Sequence, residues 1–130
     1  MIICERLHRH DDLKQSIMAI CQKHHIEAGT IISSVGCLSK LHLRLAKAKD
    51  TLMIDDDLEI LQLNGTCSIN GCHLHLCVSD DKGKVYGGHL LDGCIINTTC
   101  EIVILTIEDK IFTREYNQTT GYKELNILER

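Results

Sequence analysis

The chain has no proline and no tryptophan, and only one phenylalanine. Missing proline removes a common marker of edge strands and loops. With aromatics at 3% of 130 residues, the core has to rest on Ile, Leu and Val. No apolar run approaches the roughly 18 residues of a membrane span. The start, MIICERLHRHDDL, lacks the long apolar stretch of a secretory leader before its charges begin. A cytoplasmic protein is therefore expected. No cysteine lies in a Cys-x-x-Cys pair although the chain has eight, so most of them read as buried small hydrophobes and not as a disulfide framework or a zinc knuckle. Cys67, Cys72 and Cys77 recur every five residues, a spacing that puts Cys72 on the opposite strand face from the other two. Basic charge in excess is absent too: 14 basic against 18 acidic residues leave a net charge of -4. That weighs against a generic phosphate-backbone binder, and the scattered basic residues read as solvated surface.

What is present is apolar periodicity, in a length that makes residues 1–130 one domain. Ile2 to Leu7 reads as a first strand. Asp11 or Asp12 can cap a following helix, because a carboxylate accepts from first-turn amides. Leu13, Ile17, Ile20 and Cys21, with His24, then fall at three- and four-residue spacing, and Met18 widens that buried stripe. Lys23, His24 and His25 suit a helix C-terminus by their charge and are not expected as ligands. From Ala28 the period becomes that of strands. AGTIISSVGCL carries a glycine at Gly36 that marks a kink or a close approach. KLHLRLAKA alternates Leu41, Leu43 and Leu45 against His42 and Arg44, which makes His42 a solvent-facing strand residue. Asp50 to Asp57 is acidic and reads as the least ordered stretch. Asn64-Gly65 is a turn or bulge signal. EIVILTI is apolar on both faces and is expected at the centre of its layer. One helix and six or seven strands make an α+β domain with a compact, mostly antiparallel sheet. One helix leaves a sheet face uncovered, so the sheet curls into a barrel or a second subunit covers it.

The chemistry lies in GCHLHLCV and YGGHL. Between them, Asp81-Lys82-Gly83 fits a three-residue hairpin loop with glycine where positive φ is required. Counting back from that loop pairs Val78 with Tyr86 and His75 with His89. Opposed residues share a face, and His73 lies on it one pleat further along. Three imidazoles from these positions can converge on one divalent ion and leave a fourth position open. Zinc there lowers the pKa of a water towards about 7. Glu101, in TTCEIVIL, is the best carboxylate for a general base or for orienting a ligand. Gly87 and Gly88 imply that a metal, a substrate or a backbone approaches closely.

These residues also carry a likeness. Arg6-Leu7, Asp12-Leu13, AGTIISSVGCL, LEILQLNGT, HLHLCVSDDKGKVYGGHL, Thr99 with Glu101, and Arg114 with Thr120-Gly121-Tyr122 resemble the plants-and-prokaryotes-conserved (PPC) domain family in its stand-alone bacterial and archaeal form. The family's plant members are linked to AT-hook DNA-binding segments. The resemblance implies a metal-binding homotrimer with His73, His75 and His89 as ligands, and a curled sheet with one main helix, similar in fold to acetolactate decarboxylase. It implies a site near the subunit contact, with Arg114 or Tyr122 closing a pocket. His10 stands where relatives usually carry a glycine, so the turn there is expected to differ. No Arg-Gly-Arg-Pro segment exists, so the minor-groove contact of an AT-hook does not carry over. The expected function is divalent metal binding, zinc first. The rivals are a DNA-binding or regulatory module and a metal-dependent lyase or hydrolase acting on a small polar molecule.

Overall fold

The computed structural model describes residues 1–130, and its elements begin where capping chemistry and alternation place them. Strand β1 (Ile2–His8) runs through a turn into helix α1 (Leu13–Lys23). In that turn His10 takes φ 76, so the backbone keeps the left-handed form that a glycine would allow and the histidine carries the steric cost. Asp12 is the N-cap. Its Oδ1 accepts from the Gln15 amide at 3.0 Å, and its Oδ2 accepts from the Gly93 amide at 2.7 Å. One carboxylate thus starts the helix and ties it to a distant turn. Asp12→Ala should cost about 1–2 kcal/mol, the upper range for a lost cap. It should lower the urea midpoint without changing the slope of the transition. Leu13, Ile17, Ile20 and Cys21 are the buried stripe, with Met18 half-buried. His24 and Lys23 both donate to Glu5 Oε1, at 2.8 and 2.6 Å, and hold that carboxyl below its usual range.

Strand β2 (Gly29–Arg44) is continuous through Gly36, where β-branched residues give way to alternating leucines. A Cβ on Gly36 would lie 2.1 Å from the Thr99 carbonyl oxygen, so the glycine answers a close backbone approach. A short 3-10 turn at Ala46–Ala48 leads to β3 (Thr51–Ser68). The acidic stretch read as irregular is the first part of β3. It pairs with Lys40–Arg44, and its alternate apolar residues Leu52 and Ile54 pack against the core. The acids point outward, and their run masked the alternation. Asn64-Gly65 is likewise neither turn nor bulge. Both residues sit in ladder register with β4 (Gly71–Ser79), and the turn falls later, at Ile69-Asn70. That turn also corrects the cysteine spacing: Cys67 and Cys72 are register partners across the hairpin and share a face. All eight cysteines are free; Cys21, Cys67, Cys94 and Cys100 are buried, and the other four are not.

Strands β5 (Val85–Leu90) and β6 (Ile95–Thr106) complete a sheet of order β1-β6-β2-β3-β4-β5. One edge of β2 carries β3. The other carries β6 as far as Lys40 and then β5 at Leu43–Arg44. Because β5 also pairs with β4, strands β2 to β5 close on themselves. The fold is thus α+β, with one main helix and a curled antiparallel sheet. Leu41, Leu43, Leu58, Leu74, Leu76 and Leu90 fill the inside of the curl. β6 lies between β1 and β2, the central place its apolar sequence called for, yet Leu105 is exposed. Ile32, Val35 and Leu61 are exposed as well, so the outer face keeps an apolar strip. Strands β7 (Lys110–Tyr116) and β8 (Lys123–Glu129) form a separate hairpin. It is anchored at Phe112, whose amide donates to Glu27 O and whose carbonyl accepts from Ser68 Oγ and Asn70 Nδ2. No helix is long and apolar enough to cross a membrane.

Candidate metal centre

The β4–β5 hairpin forms as its loop chemistry requires. Gly83 takes φ 78, Asp80 N donates to Lys84 O at 2.9 Å, and Asp80 Oδ1 accepts from the Lys82 and Lys84 amides. With the loop fixed, Val78 pairs with Tyr86 and His75 with His89. Leu74, Leu76 and Val78 point into the core, so His73, His75 and His89 share the other face. Their ligand atoms all lie within 4.8 Å of one another. Imidazoles bound to one ion at about 2.1 Å per nitrogen put their ring centres roughly 5 Å apart. The observed separations are 5.1, 5.2 and 5.8 Å. Moreover, His89 Nδ1 is buried with no hydrogen-bond partner. A buried ring nitrogen left unpaired is costly, and a metal bond at that nitrogen would relieve the cost. On both counts the residues fit a divalent ion held by three histidines.

The two glycines before His89 have separate explanations. A Cβ on Gly88 would meet the Arg44 carbonyl oxygen at 2.7 Å, whereas Gly87 faces only ordinary to tight contacts with β4. The close approach at Gly88 is therefore to backbone, that of β2. It permits the Arg44–His89 pairing and so sets an arginine beside the trio. Nothing in a local reading of the sequence signalled that neighbour, because the contact joins strands more than forty residues apart.

The trio forms the floor of a cleft of about 870 Å³. Arg114 and Tyr122 line it, as expected of pocket residues, together with Arg44, Lys47, Lys123 and Glu124. Arg114 Nη2 donates to Thr66 Oγ1 at 2.8 Å, and Thr66 is the register partner of His73. The Arg44 guanidinium stands 5.5 Å from the centre of the Tyr122 ring, within cation–π range. Glu101 is elsewhere. It is exposed on β6, opposite Arg6 and Val35, and β2 and β3 separate its strand from β4. It does not line the cleft. His42 is not simply solvent-facing, since its Nδ1 is bonded to Asp92 O at 2.7 Å.

Burial, the Arg44 charge and the neighbouring imidazoles push the His89 pKa down from 6.5 to about 4. Desolvation, His75 and Arg114 lower that of His73. His89 is thus neutral and able to ligate well below pH 7, and the shift at His73 favours its neutral form too. Below 6.5 the unfolded chain takes up protons that folded His89 refuses, so acid favours unfolding. The unfolding midpoint of the metal-free protein should fall as pH is lowered from about 6.5 towards 4, and His89→Asn should flatten part of that slope. A series of thermal melts reads it.

Known proteins resemble this chain in sequence and in fold. The model of the Plants and Prokaryotes Conserved (PCC) domain matches residues 2–108. The chain is 42% identical over 116 residues to the bifunctional protein GlmU of Synechococcus sp. (strain JA-3-3Ab), a match covering 89% of this chain and 19% of that protein. It therefore spans about a fifth of the length of the curated relatives it matches. A hypothetical protein from Salmonella superposes with a TM-score of 0.95 at 34% identity, covering 100% of this chain and 94% of the other. A metal-containing protein from Archaeoglobus fulgidus gives 0.82 at 26% identity, over 97% and 93% of the two chains. The expected likeness to acetolactate decarboxylase is weak. A Staphylococcus aureus protein similar to that enzyme gives 0.56 at 16% identity, over 82% and 52%, and this concerns fold alone. The family match takes in β4, β5 and all three histidines, and the chain belongs to the Plants and Prokaryotes Conserved (PCC) domain family.

Proposed function

We propose that the protein binds one divalent metal ion per chain through His73, His75 and His89, with zinc the expected ion, and that it assembles as a homotrimer. The convergence of three imidazoles on one cleft floor carries the metal reading. Nitrogen donors of this kind, in a set of three, suit zinc and leave a coordination position open. An ion so held supplies Lewis-acid polarisation of a carbonyl or a water at that position. The chain's own part is to bring three rings together, to wall the cleft with Arg44, Arg114 and Tyr122, and to admit a small polar molecule. Any reaction there belongs with the lyases or hydrolases. Glu101 lies on the outer face, so this reading assigns it no part as a base. The homotrimer rests on the apolar strip of Ile32, Val35, Leu61 and Leu105, which a neighbouring copy would cover.

Elemental analysis of protein purified without a histidine tag tests the metal, and light scattering after size exclusion tests the trimer. About one equivalent of zinc per chain and a threefold mass are expected. Zinc far below one equivalent, unchanged in His75→Ala and His89→Ala, sinks the metal reading, and a monomer sinks the trimer.

A further inference from the structure

The cations around the trio are held in place by groups that do not neutralise them. Arg114 is fixed by the Thr66 hydroxyl, and Arg44 by the Tyr122 ring and its register against His89. Arg114 therefore stands on the His73 side of the centre and Arg44 on the His89 side. The ion pairs of the molecule involve other residues, and none includes Arg44, Arg114, Lys47 or Lys123. Glu124 is the one carboxylate lining the cleft. Four cations against one anion line this cleft, in a chain whose net charge is -4. A dication on the histidines would add to that excess. Like charges gathered in one cleft raise its local potential and favour a bound anion.

The backbone at the lip points the same way. Lys47 and Ala48, on the β2–β3 connection, take φ 71 and 55, and both line the cleft. Neither is a glycine, and left-handed backbone costs such residues about 1–2 kcal/mol each. Strain of this sort gathers at ligand sites. Here it lies on a segment that lines the cleft.

We infer that the cleft binds a small oxyanion, a carboxylate or a phosphate, gripped by the guanidinium forks of Arg44 and Arg114, while another oxygen of the same molecule reaches the three-histidine centre. The second contact rests on the metal reading above; the first does not. Arginine is suited to the grip because its planar donors match carboxylate and phosphate oxygens two at a time.

Calorimetric titration of the zinc-loaded protein with lactate, succinate and inorganic phosphate tests this. At least one should bind with Kd below about 1 mM. Arg44→Ala and Arg114→Ala should each weaken that binding by about tenfold or more, the effect of a lost charge-assisted contact, while zinc content stays unchanged. Should Arg114→Ala misfold for want of the Thr66 bond, Arg114→Lys replaces it, with retained charge and a smaller loss. Lactate bound in preference to succinate identifies a carboxylate with an adjacent oxygen, and phosphate bound best identifies a phosphate ester. No binding of any of the three to fully zinc-loaded protein overturns the inference, as does binding that survives the double Arg44→Ala/Arg114→Ala change. The same titrations without metal separate the two readings. Arginine-dependent binding by a protein that takes up no zinc leaves the oxyanion grip standing and removes the metal.

Discussion

Replacing His89 with alanine should take the protein from about one bound zinc per chain to background, with its circular dichroism unchanged. His73 and His75 both come from β4, and two imidazoles from one strand cannot by themselves surround an ion. The third arrives only through the β5 register. Loss of a direct ligand should exceed the roughly 10- to 100-fold that loss of an outer hydrogen-bond partner costs a metal site. His42→Ala is the matched control. It removes another half-buried strand histidine, one bonded to Asp92 O, and should leave metal content unaltered. A chelator should destabilise the native protein but not His89→Ala, since an ion that binds only the folded state adds about 2.7 kcal/mol at a hundredfold excess over its Kd. Full metal content in His89→Ala would show that the ion sits elsewhere.

Gly65→Ala should be among the most damaging single changes in the chain, at roughly 3–5 kcal/mol. Two costs combine. Gly65 takes φ 134, which side chains rarely adopt, and its added Cβ would stand 2.0 Å from the His73 carbonyl oxygen. That oxygen belongs to β4 backbone and cannot swing aside as a flexible side chain would. Relief requires β4 to move away from β3, which displaces His73 and its partner Thr66. The variant should therefore lose metal affinity even where it folds, and chemical denaturation with parallel metal analysis reads both effects. Gly83→Ala, with φ 78 but open space around its Cβ, should cost much less.

The contrast between these two glycines explains what could be read from sequence alone. Gly83 works within six residues of chain, so its turn, and with it the His75–His89 pairing, followed from local rules. Gly65 works against a strand that local rules cannot place, and Asn-Gly is a turn signal wherever the partner strand is unknown. The helix was legible for the reason Gly83 was: its cap and its stripe lie within a dozen residues. The acidic run of β3 was hidden because alternation there rests on Leu52 and Ile54 amid aspartates. Glu101 was chosen by residue type and apparent strand adjacency, but β6 joins the sheet beside β1 and β2, away from β4. Arg44 was passed over because its closeness to the trio depends on the closure of the curl. Arg114 and Tyr122 came only with the family likeness, since their own hairpin shows no strand pairing to the main sheet.

That separate hairpin gives the cleft two structural parts. The floor, with its histidines, and Arg44 lie inside the span that the family model matches, whereas Arg114, Tyr122, Lys123 and Glu124 lie beyond residue 108. The hairpin meets the main sheet chiefly through backbone bonds at Phe112 and through the Arg114–Thr66 contact. The bonds at Phe112 use hairpin backbone and do not depend on the side chains presented to the cleft, whereas the Arg114–Thr66 bond does. Substitutions in the roughly twenty hairpin residues can thus change what enters the cleft without altering the strands that carry the histidines.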